Sequence, residues 1–310
     1  MGHLRAWPNL YLFFGNTNRK LTFKIHDGFK MKSDGYRGLT WREKRQLDFF
    51  AWLRRRLVSD VEVNDRRYKS FFVCESRLQA YRAVSLWQKE EGTMEWIDSG
   101  VRPGDRFLDI GANVGIYTIA AAHRVGPTGK VYAFEPHKPN AVSLMKNVLR
   151  NNFEERVDIL SLPLSKAPIV APFHYTSLEP SVTGSQFGSP FVDGQSDQSF
   201  MPAATELCLG SSIDDLLASH VIEPPHLVKI DVDGIEIDIL EGMRHLLMSD
   251  ARPRSVQVEL NLGEQDFIVE LMAECHYKLD HRHFTANGAK RHARGDDLST
   301  IPHNAVFVPA

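Results

Sequence analysis

Two glycines and a set of strand-end acids define the chemistry that this chain can support. Arg106-Phe-Leu-Asp-Ile-Gly-Ala-Asn-Val-Gly115 opens with a short apolar run suited to a buried strand and turns at Gly111 and Gly115. Residues 114–124 then carry helical apolar spacing. A second apolar run, 131–134, ends in Glu135. An acid at the tip of the neighbouring strand, about 20 residues after the glycines, stands where a carboxylate can accept two ribose hydroxyls. The pattern is that of a nucleotide-cofactor site.

The missing residues narrow the cofactor. A dinucleotide fingerprint needs Gly-x-Gly-x-x-Gly so that a pyrophosphate can rest on a helix N-terminus, whereas here Asp109 precedes Gly111-x-Asn113-x-Gly115. An acid two residues before the first glycine suits a cofactor with a cationic amino-acid end, such as S-adenosylmethionine. A second acidic constellation follows in Val228-Lys-Ile-Asp-Val-Asp-Gly-Ile-Glu236. Strand residues alternate faces, so Lys229 and Asp231 point the same way, and Asp231 emerges at a strand tip. Asp233, expected as a helix N-cap, and Glu236 in the first helical turn flank Gly234. Asp231, Lys229 and Glu236 are the candidate catalytic residues. Asp231, Glu259 and Asn261, on adjacent strand tips, form an alternative set of hard oxygen ligands for Mg²⁺, a reading not favoured here. His137 and His174 are alternative bases.

The elements that must position these residues alternate between strand and helix after residue 106, which argues for a parallel sheet covered on both faces. Strands are expected at 106–110, 131–134, 157–161, 227–232, 255–260, 277–281 and 305–308. The helices between them fall at 115–124, 139–151, 212–220, 235–248 and 265–275. The last two strands are expected to pair antiparallel at one edge. Between residues 168 and 209 the pattern breaks into a Ser-, Gly-, Pro- and Gln-rich stretch with at most one strand at 173–175. It is read as a substrate-facing loop, with Ser185, Gln186 and Phe187 as its contacts. Residues 1–92 form an expected N-terminal α+β accessory or lid region, and 93–310 the catalytic domain. In the first part, short strands are expected within 10–31 and at 61–63 and 69–73. Helices are expected at 40–58, opened by the capping box of Thr40 and Glu43, and at 77–88 and 93–98.

Five segments, in order, resemble the FkbM family of S-adenosylmethionine-dependent methyltransferases: Asp109-Ile-Gly-Ala-Asn-Val-Gly115, Phe134-Glu-Pro-His-Lys-Pro-Asn140, Ser212-Ile-Asp-Asp-Leu216, the Val228 to Glu236 run, and Val256-Gln-Val-Glu-Leu-Asn261. The resemblance covers about residues 93–309. Asp233 departs from it, standing where the family more often shows Glu. The resemblance implies a class I methyltransferase (Rossmann-like) fold with a seven-stranded, mostly parallel sheet. It also implies S-adenosyl-L-methionine as cofactor, held by Asp109, Gly111, Asn113, Gly115 and Glu135. The implied reaction is O-methylation of a hydroxyl on a sugar, polyketide or other small natural product. The alternative is a cofactor-binding scaffold without turnover.

Bulk properties exclude other classes. The 310 residues, 43% hydrophobic and 25% charged, suffice for one large core plus an appendage. Cys74, Cys208 and Cys275 lack the spacing of a zinc site or a disulfide framework. No apolar run reaches the ~20 residues of a membrane helix, and a cytoplasmic protein is expected. Residues 1–106 hold 21 Lys/Arg against 13 Asp/Glu, densest at Arg54, Arg55 and Arg56. Without a nucleic-acid-binding motif this charge is read as structural, and no nucleic-acid partner is expected.

Overall fold

The computed structural model describes residues 59–189, 191, 192 and 195–310, with isolated helical positions between 41 and 52. It divides the chain into two compact units, Met1–Arg55 and Arg56–Ala310. In the first, residues 41, 44, 45, 48, 49 and 52 are helical, and the Arg45 guanidinium lies 4.9 Å from the centre of the Trp41 ring. The strands expected within 10–31, Thr40 and Glu43, and Arg54 to Arg56 lie outside the described residues.

The described part of the second unit opens with a hairpin, β1 (Ser59–Asp65) and β2 (Tyr68–Cys74), closed by the turn at Arg66 and Arg67. Alternate residues of β2, Ser70, Phe72 and Cys74, are buried, as a half-covered strand requires. Helices α1 (Arg77–Val84), α2 (Leu86–Lys89) and α3 (Glu91–Gly100) follow. The sheet and its crossovers then comprise β3 (Arg106–Ile110), α4 (Ile116–Val125), β4 (Lys130–Phe134), α5 (Lys138–Arg150) and β5 (Val157–Leu160). Next come β6 (Ile169–Tyr175), β7 (Gln186–Phe187), β8 (Phe191–Val192), β9 (Gln195–Ser199), β10 (Ala204–Gly210) and α6 (Ile213–Ala218). The chain continues through β11 (Leu227–Ile230), α7 (Glu236–Glu241), α8 (Arg244–Met248), β12 (Ser255–Leu260), α9 (Gln265–Glu274), β13 (Tyr277–His283), α10 (Ala286–Ala293) and β14 (His303–Pro309).

Seven strands form one sheet in the order β13-β14-β12-β11-β3-β4-β5. The pairs joining β12, β11, β3, β4 and β5 are parallel, while β14 runs antiparallel to both of its neighbours. This is the class I methyltransferase (Rossmann-like) arrangement, and all seven strands fall where the apolar runs predict them. All four residues of β11 are buried, as are the last four of β3 and β4, because helices cover both sheet faces. One core layer gathers Leu108, Ile110, Val228, Ile230, Leu240 and Leu271; the other gathers Phe72, Met94, Ile97, Phe107, Ile119 and Leu144. Phe72 and Cys74 belong to the second layer, so the hairpin shares a core with the sheet.

Two local expectations need correction. The stretch 168–209 is not a loop with a single short strand: β10, β6 and β7 make a three-stranded antiparallel sheet, and β8 pairs with β9. Its signal was hidden because Val170, Leu207 and Leu209 are exposed while Phe173, Tyr175 and Cys208 are buried, which leaves no clean polar face. The helix expected at 235–248 is two helices broken around Gly242. A Cβ there would stand 2.4 Å from the Ser165 carbonyl oxygen, so the backbones approach too closely for a side chain.

The hairpin is tied to the sheet by two asparagines of the α5 region. Asn147 Oδ1 accepts from the Val73 N–H at 2.8 Å while its Nδ2 donates to the Val114 carbonyl at 2.7 Å. Asn151 accepts from Phe71 N–H and donates to Phe71 O. These bonds satisfy an exposed strand edge that otherwise invites pairing with another chain. Asn147→Ala orphans Val73 N–H and buried Val114 O, and denaturant titration should report a loss of roughly 2–4 kcal/mol. A loss within 0.5 kcal/mol, roughly the noise of a neutral surface change, would contradict this.

Candidate functional site

The glycine turn is shaped by how closely it meets the next strand. Gly111 has φ +81°, and a Cβ there would lie 1.9 Å from the Asp231 carbonyl oxygen. Only glycine combines that dihedral with that approach. The Gly111 and Ala112 N–H groups both donate to Phe134 O, which joins the turn to β4. Asn113 also has positive φ, +51°, and its N–H donates to Glu135 Oε2 at 2.6 Å. Gly115, φ +86°, opens α4 against Leu144.

A crevice enclosing about 890 Å³ of empty space, open to solvent, lies at the carboxyl ends of the strands. Its walls include apolar Ile110, Phe134, Leu162 and Leu164 and the acids Glu135, Asp231 and Asp233. A smaller chamber of about 430 Å³ is bounded by Leu86, Ala112, Ile116 and Tyr117. Arg82, Gly111, Asn113 and Asp231 line both.

Among the residues singled out from sequence, Gly111, Asn113, Glu135, Asp231, Ser185, Gln186 and Phe187 line the crevice. Asp109, Gly115, Lys229, Glu236, Glu259 and Asn261 line neither chamber. Asp109 is buried beneath the turn, where Thr118 Oγ1 donates to its Oδ2 at 2.5 Å and Lys229 Nζ stands 3.6 Å from its Oδ1. Burial raises this carboxyl above its ordinary range, and Lys229 offsets only part of that. Lys229 is itself fully buried, 2.8 Å from Asp231 Oδ2 and 5.0 Å from the centre of the Tyr117 ring. Burial alone would lower its pKa, but Asp231 and Asp109 reverse the direction and hold the ammonium charged. The shared face inferred from strand alternation is therefore what the geometry contains.

Glu236 is buried and accepts from Asn261 Nδ2 at 3.3 Å, which ties the start of α7 to the end of β12. Glu259 is hydrogen-bonded to Asp231 and held in its protonated form by burial and by the charges of Asp231 and Glu90. Among the described residues, no group of three or more His, Cys, Asp or Glu side chains could hold a metal ion. Asp233 does not cap α7, whose N-cap residue is Ile235; its carboxylate accepts from the Gly184 N–H at 2.5 Å. The Gln186 amide donates to Asp233 O at 2.5 Å.

Sequence reasoning missed Asn140 as a residue that pins the 177–185 segment at the crevice, and it read His137 as an alternative base rather than as a second pin. Asn140 Oδ1 accepts from Ser181 N–H and its Nδ2 donates to Val182 O, while His137 Nε2 lies 2.8 Å from Ser177 O. Burial lowers the His137 pKa, so this ring is neutral near pH 7 and donates that bond. Both residues sit in the 134–140 run, around the start of α5, and that shared position beside Glu135 is the signal that could have found them. His174 instead faces Thr205 on the antiparallel sheet, outside the crevice.

Residues 109–279 match the model described as the methyltransferase FkbM domain, more than half of the chain. The chain belongs to the FkbM methyltransferase family. This FkbM protein is 24% identical over 208 residues to hexuronic acid methyltransferase AglP of Haloferax volcanii, covering 67% of this chain and 77% of that one. It is 28% identical over 132 residues to ribosomal RNA large subunit methyltransferase E of Nitratidesulfovibrio vulgaris, covering 39% of this chain and 60%, less than two thirds, of that relative. The crystal structure of methyltransferase FkbM from Methylobacillus flagellatus shares 13% identity, with 85% of this chain and 59% of that chain covered and a TM-score of 0.39. S-adenosylmethionine is the cofactor of this family member. The residues present fit that group: glycine backbone too close for a Cβ, a buried acid at the β4 tip, apolar walls for an aromatic base and acids for a cationic centre.

Glu135 carries a pH signature. Burial raises its carboxyl to about 7, although the His137 and Asn113 N–H groups partly offset the shift by bonding to its two oxygens. A raised carboxyl favours the protonated folded form, so its contribution to stability is present below the unfolded range and lost as pH rises through about 7. Ligand binding that needs the carboxylate runs the other way. S-adenosylhomocysteine affinity, measured calorimetrically, should fall about tenfold from pH 8 to pH 6, and Glu135→Gln should abolish that slope. An unchanged slope in the variant would remove Glu135 from donor binding.

Proposed function

We propose that this protein methylates a hydroxyl on a sugar, polyketide or other small natural-product acceptor, with Asp231 as the group that orients and deprotonates it. The observation that carries this reading is the position of Asp231: it lines both chambers while a fully buried Lys229 fixes its carboxylate at 2.8 Å. Bound S-adenosylmethionine supplies an electrophilic methyl on a sulfonium that departs as a neutral thioether. The Asp231 carboxylate accepts a hydrogen bond from the acceptor hydroxyl, aligns its lone pair and takes the proton as the new O–C bond forms. Lys229 acts through Asp231, as a positioning residue that keeps the carboxylate ionised and oriented. Glu236 is a positioning residue one step further out, since it joins α7 to Asn261.

Glu135, Gly111 and Asn113 are assigned to the donor; Asp109 and Gly115 support the turn from beneath and behind. Ser185, Gln186 and Phe187 are assigned to the acceptor because the Gly184 N–H and the Gln186 amide, both donating to Asp233, hold their segment against the crevice. The sugar reading draws support from the hexuronic acid methyltransferase among the relatives.

The test is mass spectrometry of the purified chain with S-adenosylmethionine and a panel of glycosides, sugar acids and polyketides, seeking products heavier by one methyl. Methyl transfer to ribosomal RNA with none to any small hydroxyl acceptor would overturn the substrate class. Asp231→Asn should lower turnover by ~10²–10⁴-fold, the usual range for a general base. Its affinity for S-adenosylhomocysteine should stay within about twofold, and an active variant would reject the assignment.

A further inference from the structure

The two chambers have an uneven charge pattern. Three acids face the larger one, Glu135, Asp231 and Asp233, and each is already engaged, by backbone N–H groups, by Lys229 and by Gly184 N–H respectively. Opposite in sign stands Arg82, the Lys or Arg residue that lines both chambers. It is half-buried on α1, a helix N-capped by Ser76 and fixed to α5 by the Gln79 Nε2 to Ser143 Oγ bond. Its Nε donates to Ser181 O at 3.1 Å, and among the described residues no carboxylate lies within ion-pair distance of its guanidinium. A guanidinium partly withdrawn from water and held at a cavity, without an acid to balance it, has its two terminal nitrogens left for a ligand. That planar fork matches a carboxylate.

We propose that Arg82 binds a carboxylate of the ligand held between the two chambers. The assignment rests on the crevice being the donor and acceptor site. The carboxylate has two sources: the amino-acid end of the methyl donor, or an acid group on the acceptor. In either case the charges orient the ligand, with its cationic or hydroxyl-bearing parts toward Glu135 and Asp231 and its anionic part toward Arg82. The same side chain holds Ser181 O, so ligand capture and the placement of the 177–185 segment are joined in one residue.

The test compares ligand pairs that differ by one carboxylate in the wild-type full chain, Arg82→Gln and Arg82→Lys. Calorimetry with S-adenosylhomocysteine and its decarboxylated analogue reads the donor source. Protein-observed NMR with D-glucuronate and D-glucose, in the presence of S-adenosylhomocysteine, reads the acceptor source. In the pair that supplies the carboxylate, the wild type should prefer the acid by about tenfold to a hundredfold, the worth of a charged hydrogen bond. Arg82→Gln should erase that preference while leaving the carboxylate-free partner within about twofold, and Arg82→Lys should restore part of it. Preferences unchanged by Arg82→Gln in both pairs would overturn the proposal, as would an equal weakening of both members, which is the signature of a displaced 177–185 segment alone. Failure of the wild type to bind either adenosyl compound would overturn the donor reading of the crevice and this assignment together, and is distinguishable from preserved ratios.

Discussion

A charged lysine at the centre of the sheet is the constraint on which the rest of the site depends. Lys229 has no exposure to solvent, and a buried ammonium is tolerated only with opposing charge close by. Asp109 on β3 and Asp231 at the end of β11 supply that charge from adjacent strands in register, Lys229 opposite Asp109. Removing one partner from such a group typically costs ~3–5 kcal/mol. The charge balance thus determines where the Asp231 carboxylate sits, at the junction of the two chambers.

The glycine turn follows from the same contact. Because β3 and β11 pair directly, the chain leaving β3 must pass over the Asp231 carbonyl, and Gly111 lets it pass at a separation that excludes a Cβ. The turn can then offer Asn113 N–H to Glu135, whose carboxylate is drawn into the crevice wall by two backbone donors. A charge pair in the sheet, a glycine above it and an acid on the next strand form one connected structure. Each part of that structure is a by-product of strand pairing.

The far wall is built differently. The 177–185 segment leaves the three-stranded antiparallel sheet and is held by side chains from three separate places: Arg82 on α1, His137 and Asn140 at the start of α5, and Asp233 after β11. None of these bonds belongs to a regular ladder. Such a segment opens at lower cost than a core strand, since individual hydrogen bonds contribute roughly 0.5–1.5 kcal/mol each. The crevice thus has a floor set by strand pairing and a wall pinned by single side-chain bonds.

The seven strands, the glycine turn, the acid at the β4 tip and the shared face of Lys229 and Asp231 were legible in the residue order. Each of these is a short-range consequence of apolar runs, glycine freedom and the two-residue period of a strand. Tertiary structure alone decided that Asp109 lies beneath the turn rather than in the crevice, that Asp233 holds Gly184 rather than capping α7, and that Arg82 reaches the site from a helix preceding the sheet. It also decided the pairing of β6 with β10, whose partners are distant in the chain and share no one-sided apolar pattern. Local periodicity records which face of an element is buried; it carries no record of which remote side chain will meet that face, because that meeting is set by packing among elements far apart in the chain.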